Sequence, residues 1–141
     1  MTGHGVDGTP SVTLLRDRLA SGALDALALV DSYIKRIEAR EPQVGAWAWF
    51  DPEFARAQAR TLDAHRRAGR PLGRLHGLPV ALKDVIDTQR IPTENGCVQD
   101  AGRVPLRDAF VVERLRKEGA ILMGKTVTTE LDAARQDREP A

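Results

Sequence analysis

The segment Leu78-Pro79-Val80-Ala81-Leu82-Lys83-Asp84 is apolar on both faces until its last two residues. Side chains alternate across a strand, so Leu78, Val80, Leu82 and Asp84 share one side, and Pro79, Ala81 and Lys83 the other. A strand with two apolar faces belongs in a sheet covered by helices. That places Lys83 near the strand end, at the lip of the core. Asp84 points to the opposite face, so a direct Lys83 to Asp84 pair is not the expected way of neutralising the lysine.

The rest of the chain supplies such helices. Residues 11–20 carry Leu14, Leu15 and Leu19, an amphipathic helix ended by Ser21-Gly22. A second helix is expected over residues 23–40, where Leu27, Val30, Ile34 and Ile37 recur at helical spacing and Pro42 provides the stop. The aromatic-rich residues 46–50 read as a strand. Asp51-Pro52 then gives an N-cap and first-turn proline to a third helix reaching Ala68. Residues 78–83 read as a second strand. Asp108 is expected to cap a fourth helix to Glu118, and the apolar run Ala120 to Met123 reads as a third, buried strand. Alternating helices and strands make an α/β chain. Between them, residues 87–107 hold Pro92, Asn95-Gly96, Gly102 and Pro105 with no helical stripe; about 20 irregular residues in a row suggest the wall of a site.

Charge and cysteine usage narrow the function classes. The 141 residues hold 21 Lys+Arg against 20 Asp+Glu, a balance that disfavours nucleic acid or an acidic membrane surface as partner. Cys97 is the only cysteine, so neither an intramolecular disulfide nor a thiolate zinc cage can form, and a cytoplasmic setting is expected. The apolar runs are far shorter than the roughly 20 residues of a membrane span. His4, His65 and His76 lack metal-ligand spacing, so no metal or cofactor is expected, and His76 is read as structural. Residues 1–10 read as a flexible start, neither signal nor transit peptide, and residues 131–141 as a frayed or disordered tail.

Gly119-Ala-Ile-Leu-Met-Gly124-Lys125-Thr126 fits the letters of the phosphate loop, G-x-x-x-x-G-K-T. Its context does not fit. Such a loop follows a strand, whereas Gly119 follows a helix, and Ala, Ile, Leu and Met at the middle positions call for burial. Nucleotide binding is therefore rejected.

Lys83 has two readings on spacing alone. As a base it must be neutral, and lowering a lysine pKa from about 10.4 to about 7 to 8 costs roughly 4 kcal/mol. As a structural lysine it would reach water or pair with a distant carboxylate. The serine count bears on this choice: only Ser11, Ser21 and Ser32 are present, all early and none in a glycine-rich turn.

Leu75-His76-Gly77-Leu78-Pro79-Val80-Ala81-Leu82-Lys83-Asp84 is followed by Pro92-Thr93, Arg107-Asp108-Ala109, Glu118 to Thr126, and Glu130. In order and spacing this series resembles the N-terminal part of the amidase signature family. The resemblance extends over residues 12–130, and it divides the chain into residues 1–10, a partial amidase domain at 11–130, and the tail at 131–141. It implies a mixed sheet layered with helices, here incomplete. It also implies hydrolysis of carbon–nitrogen bonds in amides by a nucleophilic serine, a bridging serine and a lysine, the lysine falling on Lys83. Both serines and the oxyanion loop would lie downstream, where the sequence reads Leu131-Asp132-Ala133-Ala134-Arg135-Gln136.

A truncated or frameshifted amidase is therefore expected, inactive alone, with Thr93 and Gly96 as candidate contributors to a substrate wall. Cys97 as a replacement nucleophile is set against its reading as a small, partly buried residue. Two further readings remain: a non-catalytic module whose open sheet edge is covered by a partner or a second copy, and a half-enzyme completed by a second chain of the glutamine-dependent amidotransferase type.

Overall fold

The structure, a computed structural model, describes residues 10–130. The expected tail at 131–141 and all but Pro10 of the expected flexible start lie outside the described residues. In chain order the elements are α1 (Val12–Ser21), α2 (Ala26–Val44), β1 (Trp47–Phe50), α3 (Pro52–Arg67), β2 (Pro79–Lys83), a 3-10 turn (Val98–Asp100), α4 (Phe110–Lys117) and β3 (Ile121–Thr126). The α/β reading holds.

Local chemistry explains most boundaries. Ser11 caps α1 by accepting from the Leu14 amide, and Gly22 ends it in the left-handed conformation. Asp51 accepts from the Glu53 and Phe54 amides at the start of α3, ahead of Pro52.

Helix α2 starts at Ala26 and not at residue 23, β3 continues past Met123 to Thr126, and two helix ends differ from expectation for identifiable reasons. Helix α2 runs through Pro42 to Val44. The proline sits in the last turn, and the chain there is closed by the Gly45 amide on the Glu41 carbonyl and by the Glu41 carboxylate on the Ala46 and Trp47 amides. Helix α4 is capped at Ala109, not Asp108. The Asp108 carboxylate is spent on the Gln89 amide and on Arg116.

The N-terminus of α2 is satisfied from a distance. Asp25 stands at the N-cap without a capping bond and pairs with Arg66. Asp63 of α3, buried, accepts from the Ala26 and Leu27 amides at 2.8 and 3.0 Å. A carboxylate facing the positive end of a helix dipole is favourably placed, so this contact locks α3 onto α2.

The sheet has strand order β1-β3-β2, with β1 antiparallel and β2 parallel to the central β3. Helix α4 lies in the crossover from β2 to β3, as a parallel pair requires. Beside β3, the Gln58 side chain of α3 both donates to and accepts from the Leu122 backbone at 3.0 Å, acting where β1 has ended as a strand neighbour would. At Gly124, an added Cβ would stand 2.4 Å from the Trp49 carbonyl oxygen and 3.1 Å from the Trp47 ring. Only glycine lets β1 approach there.

Two apolar clusters flank the sheet. Leu15, Leu19, Val30, Ile34, Ala55 and Ala59 pack with Ile121 and Met123 on one side; Leu82, Val112 and Leu122 pack with Val80, Ile86 and Leu115 on the other. The expectation that β2 is buried on both faces is corrected. Leu82 and Asp84 are buried, but Ala81 and Lys83 are exposed, because the helices on their side centre on Ile121 and Met123 of β3.

Candidate active site at the carboxyl end of β2

The parallel strands β2 and β3 end together, Lys83 opposite Thr126, and the Asp84 amide continues the ladder to the Thr126 carbonyl at 2.9 Å. Strand alternation separates the next side chains. Lys83 is exposed on one face, whereas Asp84 is buried on the other.

The buried lysine of this region is Lys125. It has no exposed surface, and its Nζ donates to Thr93 Oγ1 at 2.6 Å and to the Ile86 carbonyl at 2.8 Å, with Asp84 Oδ1 at 3.4 Å. Burial pulls its pKa below the ordinary lysine value; Asp84 and Asp87 oppose that pull, and Arg103 adds to it. Gly124 and Lys125 both lie inside a buried strand, so the phosphate-loop letters form no anion-wrapping loop. In the sequence Lys125 stands out only within that motif. The signal that could have found it is the apolar run from Ala120, whose strand extends through a lysine just as the run from Leu78 does.

The irregular segment after β2 folds back over this cation. Asp84 Oδ2 accepts from the Glu94 amide and the Asp84 carbonyl from the Asn95 amide, at 3.1 and 3.0 Å. Asp87 and Arg103 join through two bonds of 2.6 and 2.8 Å, which hold the Asp87 carboxyl below the usual carboxylate range. Arg103 also donates to the Thr93 carbonyl.

Beyond this scaffold lies a cavity of about 410 Å³, lined by Ala48, Asp84, Glu94, Gly96, Cys97 and Val127, among others. Gly96 thus lines the cavity. Thr93 is fully buried, its hydroxyl bound to Lys125, and does not line it. Gly96 has φ +62° and lies so close to the 128–129 backbone that an added Cβ would be 2.9 Å from the Thr128 carbonyl oxygen. Cys97 is half-buried, with Sγ 3.6 Å from Glu130 Oε1. Among the described residues no helix is long and apolar enough to cross a membrane, and no three His, Cys, Asp or Glu side chains converge as a metal site would require.

The serine hydroxyls lie elsewhere. Ser11 caps α1, Ser21 donates to the Arg18 carbonyl, and Ser32 donates to the Leu29 carbonyl at 2.7 Å. Each is used inside or at the start of its own helix. His76 is buried in the turn before β2, with its ring centroid 6.3 Å from that of His65.

The model of the Amidase family matches residues 28–140, spanning β1 to β3 and every residue of the site just described. The chain belongs to the amidase signature family. Its likeness to the glutamyl-tRNA(Gln) amidotransferase A-type polypeptide of Chloroflexus aurantiacus is 43% identity over 115 residues, covering 82% of this chain and 24% of that protein. The corresponding polypeptide of Streptomyces coelicolor is 41% identical over 109 residues, covering 77% of this chain and 22% of that one. The solved peptide amidase of Stenotrophomonas maltophilia superimposes with a TM-score of 0.78 at 37% identity, covering 85% of this chain and 25% of the amidase. This amidase-family chain therefore spans about a quarter of the length of the relatives it matches. The mixed sheet with helices on both sides agrees with the resemblance read from residues 75–84 onward.

Proposed function

We propose that this chain supplies the lysine of a serine–serine–lysine amide hydrolase, that Lys83 is this lysine, and that the chain does not hydrolyse amides alone. The carrying observation is the position of Lys83. It is exposed at the carboxyl end of a parallel strand, on the opposite face from Asp84, whose carboxylate is held by Lys125 and the Glu94 amide. Ligands and reacting groups of parallel α/β sheets gather at this end of the strands.

The chemistry assigns each part a task. A serine hydroxyl attacks the amide carbon while its proton passes toward a neutral lysine amine; the carbon–nitrogen bond then breaks, the nitrogen leaves protonated, and water releases the acyl group. Lys83 provides the amine. No serine follows Ser32 in the sequence, and the three present are committed to α1 and α2. On this reading the nucleophile and the donors that hold the oxyanion lie outside residues 1–141, in the part of the family domain that these residues do not span or in a second chain of the amidotransferase kind. Its substrate class is the carboxamide, glutamine included. The single cysteine fits a reducing, cytoplasmic setting.

Ammonia release from glutamine and from benzamide by the purified chain tests this reading. None above background is expected. Turnover by the chain alone that disappears in Lys83→Ala would overturn it.

A further inference from the structure

We propose that Lys125 is a positioning residue: its buried ammonium, held by Asp84, the Ile86 carbonyl and the Thr93 hydroxyl, fixes the segment after β2 as the wall of the cavity lined by Gly96 and Cys97. The link to amide hydrolysis rests on the reading of Lys83 above; the positioning itself does not.

A lysine with no exposed surface is costly unless its charge is paired and its protons are accepted. All three acceptors here come from one irregular segment, at residues 84, 86 and 93, while the cation belongs to the central strand. One ammonium therefore ties three points along that segment to β3. The charged groups around it are Asp84 from the end of β2, and Asp87 and Arg103 from the loop, the last two bound to each other.

The consequences run toward the cavity. With Asp84 fixed, its Oδ2 and carbonyl receive the Glu94 and Asn95 amides. Asn95 and Gly96 then turn with φ of +56° and +62°, the left-handed region that asparagine and glycine adopt most readily, so the sequence suits the turn these bonds place. That turn delivers Gly96 against the 128–129 backbone and Cys97 toward Glu130. Thr93 thus serves the cavity from behind its wall.

Cys97 is the only cysteine, so its reaction with a disulfide reagent such as dithionitrobenzoate reads this wall alone. Thr93→Val keeps the shape and removes the hydroxyl, and is expected to raise the labelling rate about tenfold, the effect of losing one hydrogen bond to a charged group from a local opening. Thr93→Ser keeps the hydroxyl and is expected to stay within about twofold of wild type. Hydrogen exchange at the Glu94 and Asn95 amides should follow the same order, with amides inside α1 and α3 unchanged. Lys125→Met should exceed Thr93→Val, but it strands a buried carboxylate and can unfold the chain, so the threonine pair decides. Equal labelling of Thr93→Val and wild type, or equal acceleration in Thr93→Ser and Thr93→Val, would overturn the proposal, as would acceleration matched by exchange in α1 and α3. No amide turnover enters these rates, so they succeed or fail independently of the role given to Lys83.

Discussion

Lys83 and Asp84, consecutive in the chain, occupy opposite faces of the sheet: the lysine is exposed, and the carboxylate is buried 3.4 Å from the Lys125 ammonium. The acid nearest to Lys83 in sequence is thereby committed to a different lysine. An Asp84→Asn substitution removes charge from the Lys125 side of the sheet, so its first consequence falls on the fold, through a buried cation left without its anion.

Asp63 carries the junction of α2 and α3. Its bond to the Ala26 amide is buried and that to the Leu27 amide partly so, and Asp63→Ala leaves the Ala26 donor buried without an acceptor. A loss of about 2 to 3 kcal/mol is expected from urea denaturation. Asp25→Ala, which removes an exposed partner of Arg66, should cost less than about 1 kcal/mol.

Gly124 sets the approach of β1 to β3. In Gly124→Ala the new methyl meets a backbone carbonyl, which cannot swing aside as a side chain tip can. A destabilisation on the order of 3 kcal/mol is expected, with the loss of near-ultraviolet dichroism from Trp47 and Trp49 preceding loss of helix on heating.

Stability should fall on mild acidification through His76. Burial, first, and then His65 and Arg66 hold its pKa below the ordinary value of 6.5, with Asp63 opposing. Between the lowered folded value and 6.5 the unfolded chain binds a proton that the folded chain does not, so the stabilisation is complete above 6.5 and is lost as pH falls toward the folded value. Urea midpoints should therefore drop more steeply from about pH 7.5 to about pH 5.5 in wild type than in His76→Gln. Parallel slopes would show that His76 does not contribute.

Much of this arrangement was legible in the residues because local chemistry and global fold agree. Ser11, Asp51-Pro52 and the apolar run from Leu78 each specify an element that forms where they stand. Expectation failed where tertiary contacts took over a local role. Asp108 serves a loop and Arg116 in place of a helix end, and α2 passes Pro42 because Glu41 and Gly45 close the chain beyond it; Asp63, which caps a helix some forty residues earlier in the chain, left no signal in the local pattern. Periodicity identified a lysine at the end of an apolar strand but could not say which strand would be covered. The fully buried lysine is Lys125 on the central strand, which periodicity did not single out, while Lys83, expected at the lip of the core, is exposed on the neighbouring strand.

The role of Lys83 is tested most directly by joining residues 10–130 to the remaining three quarters of the Stenotrophomonas maltophilia peptide amidase, in place of its matching segment, and measuring amide hydrolysis. The expected result is turnover by the fusion that falls at least about a thousandfold in Lys83→Ala, as for loss of a base that activates a serine. Turnover by the fusion that is unchanged in Lys83→Ala would contradict it.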